Sequence, residues 1–305
     1  MHSPAEETLT GAGLLAWRQS LLAHGGQSAD LDWLLDLAGG LDWSARQRLW
    51  LDPQRPAPLH FARLELEQIW LRHRRDHTPL QYLVGCCPWR DFDVRVGPGV
   101  LIPRQETELL VDLAVEAMAP SPLEAPLRWA DLGTGSGCLA LALATAFPAS
   151  TGVAVDCSGE ALLQAEDNLQ LAGLLHRVDL RKGSWWSSLE PLLGTLDLVV
   201  SNPPYIPSRL LNGLDPVVRL HEPWLALDGG EDGLAALRSI IASAGQALAP
   251  GGWLLLEHHH DQGEPVRGLL AAAGLERVNS FQDLEGHCRF SGARCPGSRS
   301  MATHP

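Results

Sequence analysis

The sequence predicts an α/β fold, doubly wound, with a mostly parallel sheet covered by helices on both faces. A small all-helical bundle and a β-hairpin linker precede it. Three observations carry this. The first eighty residues have helical periodicity and almost no strand signal. Residues 79–104 alternate apolar and polar side chains over short stretches. After Glu106, short apolar runs alternate with helical patterns. With 305 residues, the chain can build one large or two medium domains with proper cores.

In the N-terminal part, Leu31, Leu34, Leu35 and Ala38 share one helical face, and Gly39-Gly40 ends that helix. "SARQ", residues 44–47, has capping-box spacing. "FARLELEQIWLRH" places Ala62, Leu66, Ile69 and Trp70 on one stripe, and the basic run "RHRRDH" (72–77) reads as that helix's solvated end. The hairpin segment "CCPWRDFDVRVGPGVLIPR" is broken by Gly97-Pro98-Gly99. Strands are expected at 127–132, 152–156, 178–182, 196–200 and 253–257, with two shorter ones at 276–281 and 287–293. Helices are expected between most of them, at 159–171 and 233–248 for example. From Pro296 the tail reads as loose.

The bulk numbers exclude several classes. Hydrophobic residues are 45% and charged residues 19%, as in ordinary globular proteins. A net charge of −13 disfavours broad binding to a phosphate backbone. Six cysteines without C-x-x-C spacing are no disulfide framework for this length. "MHSPAEETLTGAG" lacks the basic and apolar regions of a secretion signal, and no apolar run approaches a membrane span. These features describe a reduced cytoplasmic protein.

"WADLGTGSGCLALALA", residues 129–144, reads as strand, loop and helix. Gly133, Gly135 and Gly137 let the backbone turn tightly and approach a ligand closely. Asp131 precedes them, and a carboxylate there repels phosphates. It suits a ligand with ammonium and sulfonium charges, such as S-adenosylmethionine. Asp156 ends the second strand about twenty-five residues later, where a doubly wound sheet keeps its ribose-binding acid. Its bland alternative is an N-cap for the helix that follows.

In "LDLVVSNPPYIPSRL", residues 196–210, a buried strand stops at Asn202, and Pro203 and Pro204 forbid its continuation. At the carboxyl edge of the sheet, the Asn202 side-chain carbonyl accepts from a substrate N–H, and the Pro203 carbonyl is a second acceptor. Tyr205 supplies a flat ring. Two acceptors and a ring suit a planar amino group with a delocalised lone pair. They orient the nitrogen and stabilise the positive charge growing on it, with no strong base needed. Adenine N6, cytosine N4, guanine N2 and a carboxamide nitrogen all fit.

The chain resembles the HemK/PrmC family, the N5-glutamine methyltransferases of peptide chain release factors. "TPLQYLVG", "GVLIPRQETELLVDLA", "DLGTGSGCLALALA", "SNPPYIP", "HEPWLALDGGEDGL" and "LAPGGWLLLEHHHDQG" carry the resemblance nearly end to end. It implies a seven-stranded, Rossmann-like S-adenosyl-L-methionine-dependent domain. The implied substrate is the Gly-Gly-Gln glutamine of class I release factors. It further implies that Asp131, Leu132, Gly133, Thr134 and Gly135 line the cofactor's methionine moiety and that Asp156 holds the ribose. Trp185 is implied beside the adenine, with Asn202 next to the cofactor. Asn202, Pro203, Pro204 and Tyr205 receive the glutamine and carry catalysis. Three departures stand out: Ser184 replaces the usual Asp before that Trp, Gln105 replaces a common Pro, and Trp89-Arg90-Asp91 replaces an F-W-G or F-Y-G stretch.

The expected organisation is a release-factor-docking helical domain at 1–82, a linker at 83–105, the transferase at 106–296 and a tail at 297–305. A DNA or RNA amino methyltransferase acting on adenine N6 or guanine N2 is the alternative. It calls for a recognition domain or basic groove that the sequence does not display. A non-enzymatic binding module calls for decay of the glycines, Asp156 or the Asn-Pro-Pro-Tyr motif, and all are intact. The internal Gly25-Gly26-Gln27 reads as a helix-ending turn, with Ser28 or Asp30 capping the next helix. "EHHHDQG" (257–263) reads as a strand edge without metal, because successive strand residues face opposite ways.

Overall fold

The structure is a computed structural model that describes residues 7–119 and 126–297. Beyond Gly297, the expected loose tail lies outside the described residues. In chain order the N-terminal elements are β1 (Glu7–Thr10), α1 (Gly11–Ala23), α2 (Ser28–Leu37), α3 (Trp43–Leu51), β2 (Pro56–Leu59), α4 (Arg63–Asp76) and α5 (Leu80–Val84). A hairpin of β3 (Cys86–Trp89) and β4 (Phe92–Arg95) follows. Then come α6 (Glu108–Met118), β5 (Arg128–Leu132), α7 (Cys138–Ala146), β6 (Thr151–Asp156), α8 (Gly159–Leu171), β7 (Val178–Lys182) and β8 (Leu196–Ser201). The chain ends through α9 (Pro216–His221), α10 (Ala235–Ala247), β9 (Leu248–Glu257), α11 (Gly263–Ala272), β10 (Glu276–Gln282) and β11 (Cys288–Arg294).

Two compact units result. One runs to Cys86 and includes Asp215–His221; the other holds Cys87–Leu214 and the chain from Glu222. In the first, Leu31, Leu34, Leu35, Leu66 and Trp70 are fully buried, as their helical stripes require. Gly25 and Gly26, both with positive φ, turn the chain between α1 and α2, and a Cβ on Gly26 would meet the Trp70 ring. Neither Ser28 nor Asp30 caps α2: its N-cap is Gln27, which makes no side-chain cap bond. For α3 the cap is Asp42, which accepts from Ala45 N–H, so "SARQ" begins one residue inside the helix. The all-helical expectation needs one addition, an antiparallel ribbon of β1 and β2. Pro56 and Pro58 hid β2 from a propensity reading, yet their missing N–H groups are tolerable in so short an edge pairing.

The second unit contains the seven-stranded sheet, ordered β10-β11-β9-β8-β5-β6-β7. Strands β9, β8, β5, β6 and β7 are parallel, and β11 runs against β9 and β10. The central strands are continuous apolar runs because both faces are covered. In β8, Leu196, Leu198, Val199 and Val200 are at most 1% exposed. Helix α7 is apolar all round and buried from Cys138 to Ala144. After β5 the chain builds outward through β6 and β7, then returns to place β8 on the other side of β5. The carboxyl ends of β5 and β8 therefore flank the topological switch point, where open α/β sheets form their crevice.

Candidate active site

The glycine loop leaves β5 at that crevice. Gly133, Gly135 and Gly137 have φ of 77°, 56° and 82°, a region costly for residues with a Cβ. Each has its own reason. The Trp185 ring lies 3.4 Å from where a Cβ on Gly133 would sit, and a Cβ on Gly137 would stand 3.0 Å from that of Ala165 in α8. Above Gly135 there is open space. The amides of Gly133 and Thr134 both donate to the Val155 carbonyl of β6, at 2.8 and 3.0 Å. From α8, the buried Asn168 amide donates to the Ser136 carbonyl at 2.8 Å and to Arg95 O at 3.0 Å. One side chain thus ties the loop to the hairpin strand β4.

Asp131 is fully buried beneath the loop rather than facing out from the strand end. Its Oδ2 accepts from the Thr134 hydroxyl at 2.6 Å, whereas Oδ1 has no hydrogen-bond partner among the described residues. Burial pushes the carboxyl up to about 7. Asp156 ends β6 and is half-buried, accepting from Gly135 N–H and Ser158 N–H, each at 2.9 Å. Ser158, not Asp156, caps α8 through Ala161 N–H. Trp185 stands in a turn after β7 with φ of 51°, a left-handed conformation for a bulky residue. That backbone holds its ring against Gly133, while exposed Ser184 precedes it.

Asn202 follows β8 directly, and the Ser201 hydroxyl fastens the end of β8 to the Leu132 carbonyl at 2.6 Å. The Asn202 Nδ2 donates to Thr107 Oγ1 at 2.9 Å, and the Thr107 hydroxyl donates to Glu257 Oε2 at 2.7 Å. The Tyr205 hydroxyl donates to Glu257 Oε1 at 3.2 Å. Glu257 is 1% exposed and Thr107 2%. Among the described residues, neither Asn202 Oδ1 nor the Pro203 carbonyl accepts a hydrogen bond. Burial and the Glu257 charge raise the Tyr205 pKa, so its phenol is a neutral donor and not a base.

The segments around the motif interlock. Buried Glu222, from "HEPW", pairs with Arg104 at 2.7 Å and accepts from Ile102 N–H at 3.2 Å. Gln262 donates to the carbonyls of Tyr205 (3.0 Å) and Gly233 (3.2 Å) while accepting from His259 N–H at 2.9 Å. The Arg90 guanidinium, in the departing hairpin stretch, binds the Glu108 carbonyl and Asp112 of α6 at 2.8 and 2.9 Å. Gln105 donates to the Pro88 carbonyl at 3.0 Å. The three histidines of "EHHHDQG" part company. His258 is buried against Ser291 Oγ at 2.8 Å, His259 contacts Asp261 at 2.7 Å, and His260 is exposed.

The site residues expected from sequence lie at the carboxyl ends of β5 (Asp131, Leu132) and β6 (Asp156) and on the segments that follow β5, β7 and β8. Sequence reasoning missed Thr107, Glu257 and Gln262 as parts of the site. One signal was available for Glu257: like Asp156, it is an acid ending an apolar strand.

Residues 107–211 match the family model described as the methyltransferase small domain. A release factor glutamine methyltransferase from Prochlorococcus marinus is 48% identical over 291 residues, spanning 95% of this chain and 99% of that protein. The corresponding protein of Synechocystis sp. is 43% identical, over 91% and 93% of the two chains. That of Geobacter sulfurreducens is 39% identical, over 92% and 95%. Among solved structures, the hMettl16 catalytic domain in complex with a MAT2A 3′UTR hairpin superposes with a TM-score of 0.51 at 14% identity. It covers 81% of this chain and 86% of that one, a likeness of fold alone. Identity of this extent along nearly the whole chain places it in the release factor glutamine methyltransferase family.

Proposed function

We infer that the protein transfers a methyl group from S-adenosyl-L-methionine to a release-factor glutamine, at the side-chain amide nitrogen N5 of the Gly-Gly-Gln motif in class I factors. The observation that carries the site assignment is Asn202. Its NH2 is held by Thr107, which turns its Oδ1 away to accept from a substrate amide.

The residues present fit the cofactor. The buried, partnerless Asp131 Oδ1 suits an ammonium, and open space over Gly135 leaves room for close approach. Asp131, Leu132, Gly133, Thr134 and Gly135 hold the methionine moiety, Asp156 the ribose and Trp185 the adenine. Bound there, S-adenosylmethionine supplies a methyl group activated by its sulfonium charge. The chain's own residues do the positioning. Asn202 Oδ1 and the Pro203 carbonyl each accept one hydrogen of the planar substrate NH2, aiming the nitrogen lone pair and stabilising the charge that grows on it. Pro204 fixes the corner, and the Tyr205 ring, pinned through its hydroxyl and its carbonyl, lies against the flat carboxamide. The methylated nitrogen, now strongly acidic, then passes its extra proton to solvent water, so no strong base is needed in the site.

By the same reading, residues 1–82 dock the release factor, 83–105 link the domains, and 106–296 perform the transfer in the cytoplasm, without stable nucleic-acid binding. Among the described residues no helix is long and apolar enough to cross a membrane. The test is mass spectrometry of a class I release factor incubated with the protein and S-adenosylmethionine, beside DNA and RNA controls. One added methyl on the Gly-Gly-Gln glutamine, absent with Asn202→Ala, is expected. Label in nucleic acid instead would overturn the substrate assignment.

A further inference from the structure

We propose that Thr107 and Glu257 are positioning residues that fix which end of the Asn202 amide meets the substrate. The proposal rests on Asn202 as the acceptor of the substrate amide. An ionised carboxylate has no proton to give. Each Glu257 oxygen takes one hydroxyl proton, from Thr107 at 2.7 Å and from Tyr205 at 3.2 Å. With its proton committed, Thr107 Oγ1 offers Asn202 only lone pairs. The Asn202 group facing it at 2.9 Å is therefore the NH2, and the carbonyl end is left for the substrate. The order of donors runs one way along the whole chain of contacts, from Asn202 through Thr107 to Glu257.

Protonating Glu257 removes that constraint. A neutral carboxyl protonated on Oε2 donates to Thr107 Oγ1, which frees the Thr107 proton to meet Asn202 Oδ1. The amide then turns over and presents N–H to a substrate N–H, the wrong polarity for holding it. Burial places the Glu257 carboxyl near this threshold, raising it to about 7 against the stabilising Thr107 and Tyr205 hydroxyls. Two charges also face it: Arg289 from β11 favours the ionised form and Glu106 opposes it. The ionised, orienting form dominates above that range, so turnover falls as pH drops through it.

The experiment compares T107V, T107S, E257Q and N202A by steady-state methylation of a release factor, with S-adenosylmethionine dissociation constants from calorimetry. T107V and E257Q are expected to lower kcat by about 10- to 100-fold, the scale of a misaligned positioning group, with KM and cofactor affinity within about threefold. T107S keeps the hydroxyl and should stay within about threefold of the parent. The acid limb of the kcat–pH profile should vanish in E257Q. Parent-like kcat in T107V beside an inactive N202A would overturn the proposal while leaving the site intact. Turnover that falls only in step with cofactor affinity, without rescue by T107S, would also overturn it. Near-normal N202A would instead refute the reading of Asn202 itself.

Discussion

On the proposed ribose assignment, replacing Asp156 is expected to separate cofactor binding from methyl transfer. In the protein its carboxylate accepts from the amides of Gly135 and Ser158, each at 2.9 Å, and lone pairs remain on both oxygens for a ribose diol. Hydrogen bonds to a charged group contribute about 1.5–3 kcal/mol each, and this half-exposed carboxylate falls at the lower end. Asp156→Ala deletes the proposed ribose contact and also frees the Gly135 amide that shapes the loop. Together these cost about 3 kcal/mol, or roughly a hundredfold in the cofactor dissociation constant. Asp156→Asn keeps one acceptor oxygen and should lose about tenfold. At saturating cofactor kcat should remain within about threefold, because in the proposed mechanism the accepting nitrogen is held at Asn202 and not at Asp156. Calorimetric titration with S-adenosylmethionine, paired with initial rates, measures both. Ser158→Ala is the control: loss of its cap costs about 1 kcal/mol of stability and should leave cofactor affinity alone. An unchanged dissociation constant in Asp156→Ala would refute the ribose assignment.

Asn202→Ala is expected to lower kcat by about 10²- to 10³-fold, as for removal of one preorganised charge-stabilising group, while calorimetry finds S-adenosylmethionine binding intact. Arg104→Met leaves Glu222 buried without its cation and should destabilise the fold by about 3 kcal/mol, read from urea denaturation. Gly137→Ala combines a φ of 82° with a contact 3.0 Å from the Ala165 Cβ, so a loss of about 2 kcal/mol is expected in the same assay. The Asp131 carboxyl is raised to about 7 by burial, so its ionised form is the costly one. Its contribution to stability therefore improves as pH falls from about 7 toward 4, the unfolded carboxylate range. Affinity for a cationic cofactor moves the opposite way and weakens over that window, and Asp131→Asn should flatten the affinity profile.

The central strands were legible because burial on both faces favours continuous apolar runs, and edge strand β7 because Val178 and Leu180 alternate with polar residues. The runs at 152–156, 178–182 and 196–200 differ from β6, β7 and β8 by at most one residue at either end. Strand β9 was harder. It begins at Leu248, ahead of Gly251 and Gly252, and a register irregularity against β8 interrupts its first pairings. The glycine loop and Asn-Pro-Pro-Tyr could be read because their parts are contiguous. Thr107 and Glu257 could not, since they lie 150 residues apart and acquire their relation only when α6 and β9 meet beside β8. Gln262 joins Tyr205 across 57 residues for the same reason. Capping was misjudged locally: Ser44 and Asp42 both have the chemistry, and helix entry decides between them.

Because β5 and β8 are hydrogen-bonded neighbours, the loops proposed to hold donor and acceptor spring from points one strand spacing apart, about 4.8 Å. On the proposed assignment, the gap a methyl group must cross is thereby gauged by the backbone hydrogen bonds of a buried strand pair. Loop sequences can drift to suit a different cofactor affinity or a different release factor without altering that gauge. A substitution that disturbs the pairing of Asp131 with Val200 would lengthen the crossing while leaving both binding loops intact.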